Sequence, residues 1–189
     1  MDDNAEHGMD TSDLLLLAVA EKGKITLGRT ALQKSIYFVS FSLKQDLGYR
    51  AHLYGPYSPP VSQTAEYLVQ TDFLREEQDV EPGFVQYSYS LTECGRKAAE
   101  AARARYASES KTIREVMGIC ESVAHGDQQV LSWAAKAHFI FRENTAKVWT
   151  YEDVAENGRA VGWNITPSQI DQGADLLVAL GLVAKTRGK

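Results

Sequence analysis

Cysteine is scarce in this 189-residue chain: Cys94 and Cys120 stand alone, without CxxC or finger-type spacing. Two isolated thiols exclude a disulfide scaffold and fit a reducing compartment, so a cytoplasmic protein is expected. Long apolar runs are also missing. The longest, Leu14 to Ala20, follows acidic rather than basic residues. It is too short to span a bilayer and has the wrong flank for a signal peptide, so no membrane contact is expected. Histidine is sparse. His7, His52, His125 and His138 lie far apart, with no metal-ligand spacing to Cys, Asp or Glu. GxSxG, HExxH, GxGxxG and phosphate-loop patterns do not occur. Glu76 and Glu77 are adjacent carboxylates, but neighbours on a strand point to opposite faces. These absences point away from an enzyme and imply neither metal nor organic cofactor.

What is present is an ordinary globular composition, with 44% hydrophobic and 24% charged residues. The net charge of −5 is unevenly spread. Residues 11–60 carry six basic and three acidic groups, residues 61–95 one basic and seven acidic, and residues 96–114 six basic and two acidic. This distribution allows a basic patch on an acidic protein, and a local patch is what phosphate contact needs.

Residues 1–10 are polar and acidic and read as a loose tail. Thr11-Ser12-Asp13 supplies capping side chains for a first helix ending near Gly23. A second helix is expected from about Thr30, with Leu32, Ile36, Val39 and Leu43 on its apolar face and Gln33 and Lys34 turned elsewhere. Residues 49–54 alternate like a short strand, and Gly55-Pro56 turns the chain. Ser58 caps a third helix with Pro59 at its first position. Strands at 73–78 and 84–91 flank a turn at Glu81-Pro82-Gly83. Three helices and a hairpin describe a winged helix-turn-helix over 11–95, its third helix the reader and its hairpin the wing.

A long helix of about 28 residues should follow over 96–124. Its alanines at 98, 99, 101, 102 and 104 would suit either a dimer partner or the same chain. His125-Gly126 breaks it. A helical, winged-helix-like unit is expected over 127–189, with helices at 128–142, from Tyr151 to Asn157-Gly158, and from Pro167 to Gly181, then a short strand at Leu182-Val183. Residues 65–77 and 174–186 align without gaps, as an internal repeat of a helix-turn-helix would. The expected class is mainly α with a small β wing, and a homodimer is the expected assembly.

Four spaced motifs carry a family resemblance: Asp13-Leu14-Leu15-Leu16-Leu17, Gly28-Arg29-Thr30-Ala31-Leu32-Gln33-Lys34, Tyr54-Gly55-Pro56-Tyr57-Ser58, and Leu91-Thr92 with Gly95. They resemble the small prokaryotic proteins called YwgA-like. These are distantly similar to the phage-associated antitoxin domain known as Panacea, which shares the LQK helix and the YGP turn. The resemblance covers residues 11–97 and, more loosely, 127–148. It implies a protein that binds a toxin or acts as an adaptor. The chain departs from the pattern at Ser35, where the family has a large residue, and in its acidic wing.

Two binding roles follow. As a DNA-binding transcriptional regulator, the chain would present Ser62 and Gln63, with Glu66 and Gln70, to base edges. Arg29, Lys34 and Arg50 would hold phosphates, Tyr57 would contact sugar or backbone, and Gln33 would stand among the DNA-contacting residues. In the C-terminal unit Ser168, Gln169 and Gln172 would do the reading, with Lys185, Arg187 and Lys189 beyond. A third helix without Lys or Arg and an acidic wing weigh against this role. As a toxin-binding or adaptor module, the chain would use Tyr49, His52, Tyr54, Tyr57 and Tyr106 as interface anchors. A continuous basic face joining Arg29, Lys34, Arg103 and Arg105 would favour nucleic acid.

Overall fold

Helix α1, Thr11–Lys22, opens the fold. The computed structural model describes residues 8–22, 24–25, 28–81, 84–124, 127–143 and 148–184. The tail before Gly8, the breaks at Gly23 and His125-Gly126, the Pro82-Gly83 turn and the three C-terminal cations lie outside the described residues. The end of the expected loose tail is anchored. Met9 is buried, and its carbonyl accepts a bond from Gln45 Nε2 at 2.8 Å. The α1 cap sits one residue earlier than expected: the Asp10 carboxylate accepts from the Asp13 amide at 2.8 Å.

Strand β1, Lys24–Ile25, leads into helix α2, Gly28–Ser42. An isolated antiparallel bridge between Arg50 and Tyr57 stands where a strand over 49–54 was expected. Helix α3, Pro59–Gln70, begins at Ser58, whose hydroxyl accepts from the Val61 amide. Strands β2, Leu74–Glu81, and β3, Phe84–Leu91, form an antiparallel hairpin. The two-residue β1, which periodicity is too coarse to reveal, adds to β3, giving the sheet order β1-β3-β2.

The expected single long helix is two. Helix α4, Glu93–Arg105, ends at Tyr106 with φ −118° and ψ 56°, and helix α5, Ala107–Ala124, restarts beyond it. A backbone in that region breaks the i to i−4 ladder although the local composition is helix-forming. Ala99 and Ala102 are buried, and α4 packs against α1 of the same chain. Helices α6, Gln128–Phe141, α7, Tyr151–Ala160, and α8, Pro167–Ala179, complete the described fold. Thr150 and Thr166 each form a reciprocal capping box. Helix α7 runs through Asn157-Gly158 rather than stopping there, and Gly158 is buried, with the Ile165 Cγ2 methyl 3.1 Å from where a Cβ would stand. Leu182-Val183 is not a strand.

The fold is mainly helical with a small antiparallel sheet, an α+β arrangement. Its buried residues form one cluster from Met9 to Leu177. Helix α2 lies at its centre: every residue from Ala31 to Ser40 is buried. It contacts α3 and β3 on one side, and α5 and α6 on the other. Helices α6 and α8 meet at glycine, since a Cβ on Gly173 would stand 2.6 Å from the Ala134 nitrogen.

Candidate binding cleft

A helix surrounded by other elements has no solvent face, so its polar residues need internal partners. Gln33 and Lys34 find theirs in the segment between α2 and α3. Gln33 Nε2 donates to the Ser58 carbonyl at 3.0 Å, and the Ser58 amide donates to Gln33 Oε1 at 3.0 Å. Lys34 Nζ donates to the Pro56 carbonyl at 2.7 Å. The Tyr49 hydroxyl donates to the Gln33 carbonyl at 2.9 Å, and Ser58 Oγ to the Leu47 carbonyl at 2.5 Å.

The C-terminal helices hold the same segment from outside. Trp163 Nε1 donates to the His52 carbonyl at 2.6 Å, and Ser132 Oγ to the Tyr54 carbonyl at 3.0 Å. At the turn, Gly55 has φ +105° and lies between Lys34 and Lys136, whose carbons stand 3.1 and 3.2 Å from the place a Cβ would take. Only glycine meets both demands.

Between α2, this segment and α3 lies a cleft of about 310 Å³. Its inner wall is buried: Leu32, Gln33, Lys34, Val61 and Ala65. Its rim is exposed: Arg29, His52, Tyr54 and Glu66. The rings of His52 and Tyr57 lie 5.0 Å apart and tilted by 35°. Burial, with the like charge of Lys136, pushes the Lys34 ammonium down to about 7. Burial lowers Lys136 as well.

At the sheet end of the cleft, Arg29 makes a two-pronged ion pair with Glu76, both contacts at 3.0 Å, and the Tyr89 hydroxyl also donates to Glu76. The Arg29 bond holds the Glu76 carboxyl below its ordinary range. Away from the cleft, the buried Tyr37 hydroxyl and His138 Nδ1 lie 2.7 Å apart. Burial, then the charge of Arg142, pushes His138 down to about 4.

The cleft brings together Arg29, Gln33, Lys34, His52, Tyr54, Tyr57 and Ser62. The expectation that Gln33 and Lys34 face outward is corrected: they are 5% and 2% exposed and spent on the loop. Tyr49 is corrected likewise, because its hydroxyl turns inward to Gln33. Arg50 and Gln63 are exposed, and Tyr57 and Ser62 half-buried. Ser168 and Gln172 are exposed on α8, away from the cleft, and Gln169 closes the Thr166 capping box. Tyr106 is half-buried at the α4–α5 break, 5.8 Å from the Arg105 guanidinium. Lys185 and Arg187 lie outside the described residues.

The basic face joining Arg29, Lys34, Arg103 and Arg105 does not form. Lys34 is buried, Arg29 is held by Glu76, and Arg103 is held by Glu21 at 2.9 Å. Sequence reading missed Lys136, Trp163 and the exposed Leu53, which depend on contacts made far along the chain. Among the described residues, no group of three His, Cys, Asp or Glu side chains is placed to hold a metal ion. None of their helices is long and apolar enough to cross a membrane.

No family model matches the chain. Over 86 residues, 43% of its length, the chain is 38% identical to the uncharacterised protein YwgA of Bacillus subtilis (strain 168). The match covers 49% of that protein, so the chain spans about half the length of the curated relative it matches.

Proposed function

We propose that this chain is a non-enzymatic winged-helix module that binds a partner protein, in the manner of an adaptor or antitoxin. Helices α1 to α3 and the sheet order β1-β3-β2 support the winged-helix reading. One observation carries the docking role. Leu53 and Tyr54 stand 68% and 63% exposed on a segment clamped by α2 from inside and by Ser132 and Trp163 from outside. Rigid, exposed apolar anchors lose little entropy on binding and are typical of interface hot spots. Tyr67, exposed on α3, adds a third.

A DNA-binding regulator gains less support. Arg50 and Gln63 are accessible, but α3 has no cation and carries the exposed Glu66, and Glu77 is exposed on β2. Repulsion from phosphates would weaken such a complex. The test pairs two measurements on the full chain. Affinity capture followed by mass spectrometry compares wild type with a Leu53→Ser, Tyr54→Ser double variant. Anisotropy titrations use duplex DNA from upstream of the gene and random duplex at two salt concentrations. The expected result is a protein retained by wild type and lost by the variant, with no sequence preference for DNA. Salt-sensitive binding that prefers the upstream duplex would overturn the reading.

A further inference from the structure

The acidic hairpin has no part in the docking role above, and its strand β2 is bonded on one side. The sheet runs β1-β3-β2, so β2 is an edge, and among the described residues β3 is its one ladder partner. The register fixes where its remaining backbone groups point. The Thr92 amide donates to the Phe73 carbonyl at 3.2 Å, one step before the Leu74–Leu91 pair. Bonded and non-bonded pairs alternate along an antiparallel ladder. Arg75–Ser90 and Glu77–Ser88 are therefore the bonded pairs, and the amides and carbonyls of Glu76, Gln78 and Val80 point away from β3. An eight-residue edge of this kind is a ready template for another strand.

We propose that the free edge of β2 takes up an extended basic segment of a partner protein as an added antiparallel strand, with Lys or Arg at every second position. This goes beyond the Leu53–Tyr54 surface and does not depend on it. Charge selects the occupant. Strand β2 carries four carboxylates, Glu76, Glu77, Asp79 and Glu81, against the single cation Arg75. Arg29 neutralises Glu76 from the α2 side. Arg75, Glu77 and Gln78 are exposed, so a new strand can reach this edge. A second copy of β2 would bring a strand of the same net sign alongside, and like charges across a ladder destabilise it. Nucleic acid meets the same repulsion. A residue added across from Glu77 falls in a non-bonded pair, the arrangement in which facing side chains stand closest. A Lys there meets the Glu77 carboxylate, while its two neighbours exchange bonds with Glu76 and Gln78.

The test is fluorescence anisotropy on the full chain, at two salt concentrations, with a short labelled peptide alternating Lys with Thr. The Lys–Thr peptide is expected to bind saturably, and a matching Glu–Thr peptide at least about ten-fold more weakly. N-methyl groups on the Thr residues remove the edge bonds and should weaken binding by at least about ten-fold. The same groups on the Lys residues, whose amides point away from β2, should leave affinity near its original value. Glu77→Lys should weaken the Lys–Thr peptide by roughly five-fold. The Leu53→Ser, Tyr54→Ser double variant should bind it as wild type does. Hydrogen exchange at the Glu76 and Gln78 amides should slow when the peptide binds. Absent saturation, equal loss for the two methylated peptides, or unchanged exchange at those amides overturns the proposal. Loss of the peptide in the double variant would place it on the other surface and also overturns it. A dimer of the chain alone, seen by sedimentation and already protected at those amides, would put a second copy on the edge, with the same consequence.

Discussion

Replacing Lys34 by methionine should change how stability responds to pH. The side chain is 2% exposed, and its ammonium titrates at about 7 in the fold against an ordinary value of 10.5. A folded value below the unfolded one means that the unfolded chain binds more protons between the two. Stability therefore rises with pH across that window, is full above the unfolded value, and is lost as pH falls toward the folded one. For these two values, the wild-type gain between pH 7 and pH 9 is roughly 2 kcal/mol.

Above about pH 10 the unfolded chain loses tyrosine protons that the fold retains, because burial raises Tyr37, Tyr49 and Tyr89. The window is kept below that. The thioether of the Lys34→Met variant does not titrate, so the variant's curve lacks this slope. Its lost bond to Pro56 costs about 1 kcal/mol at every pH and drops out of the comparison. Urea unfolding followed by circular dichroism at pH 7, 8 and 9 measures both proteins. The variant's stability relative to wild type should fall by roughly 2 kcal/mol from pH 7 to pH 9. Parallel curves would refute the reasoning, as would wild-type stability that declines over the window.

Three further outcomes follow from the geometry. His138 is held near 4 against an ordinary 6.5, so the unfolded chain again binds the extra proton, and stability should fall by about 3 kcal/mol as pH drops from 6.5 to 4. The His138→Leu variant should show a shallower acid slope in the same urea assay. Gln33→Ala leaves the buried Ser58 amide without its partner, while the Ser58 carbonyl keeps the Ser62 amide, and should cost about 1–3 kcal/mol, read from urea midpoints at unchanged m-value. Gly173→Ala pushes a Cβ to 2.6 Å from the Ala134 backbone nitrogen, and should lower stability by about 2–3 kcal/mol in calorimetry.

Much of the helical frame was legible from local chemistry. Ser58 with Pro59, Thr150, and Thr166 with Pro167 all mark helix starts where the sequence placed them. Caps and Pro at the first turn are local signals, decided by the nearest few residues. The errors have non-local causes. β1 is two residues long and exists because β3 is there to pair with it. Tyr106 divides a segment whose composition favours one uninterrupted helix, a division made by packing on α1. The cleft was half legible. Arg29, His52, Tyr54, Tyr57 and Ser62 do converge, but polar residues on an amphipathic pattern are expected to face water. Gln33 and Lys34 defy that rule because α2 is enclosed on every side.

The enclosure of α2 also governs how the molecule comes apart. Ala31 to Ser40 touch α3 and the sheet on one flank and α5 and α6 on the other, so neither flank can peel away without baring the other's apolar surface. Backbone amides in the middle of α2 then meet solvent only when the whole chain opens. They set the slow limit of hydrogen exchange, and that limit equals the global unfolding free energy. A protease nick in an exterior loop leaves two pieces that α2 still holds together.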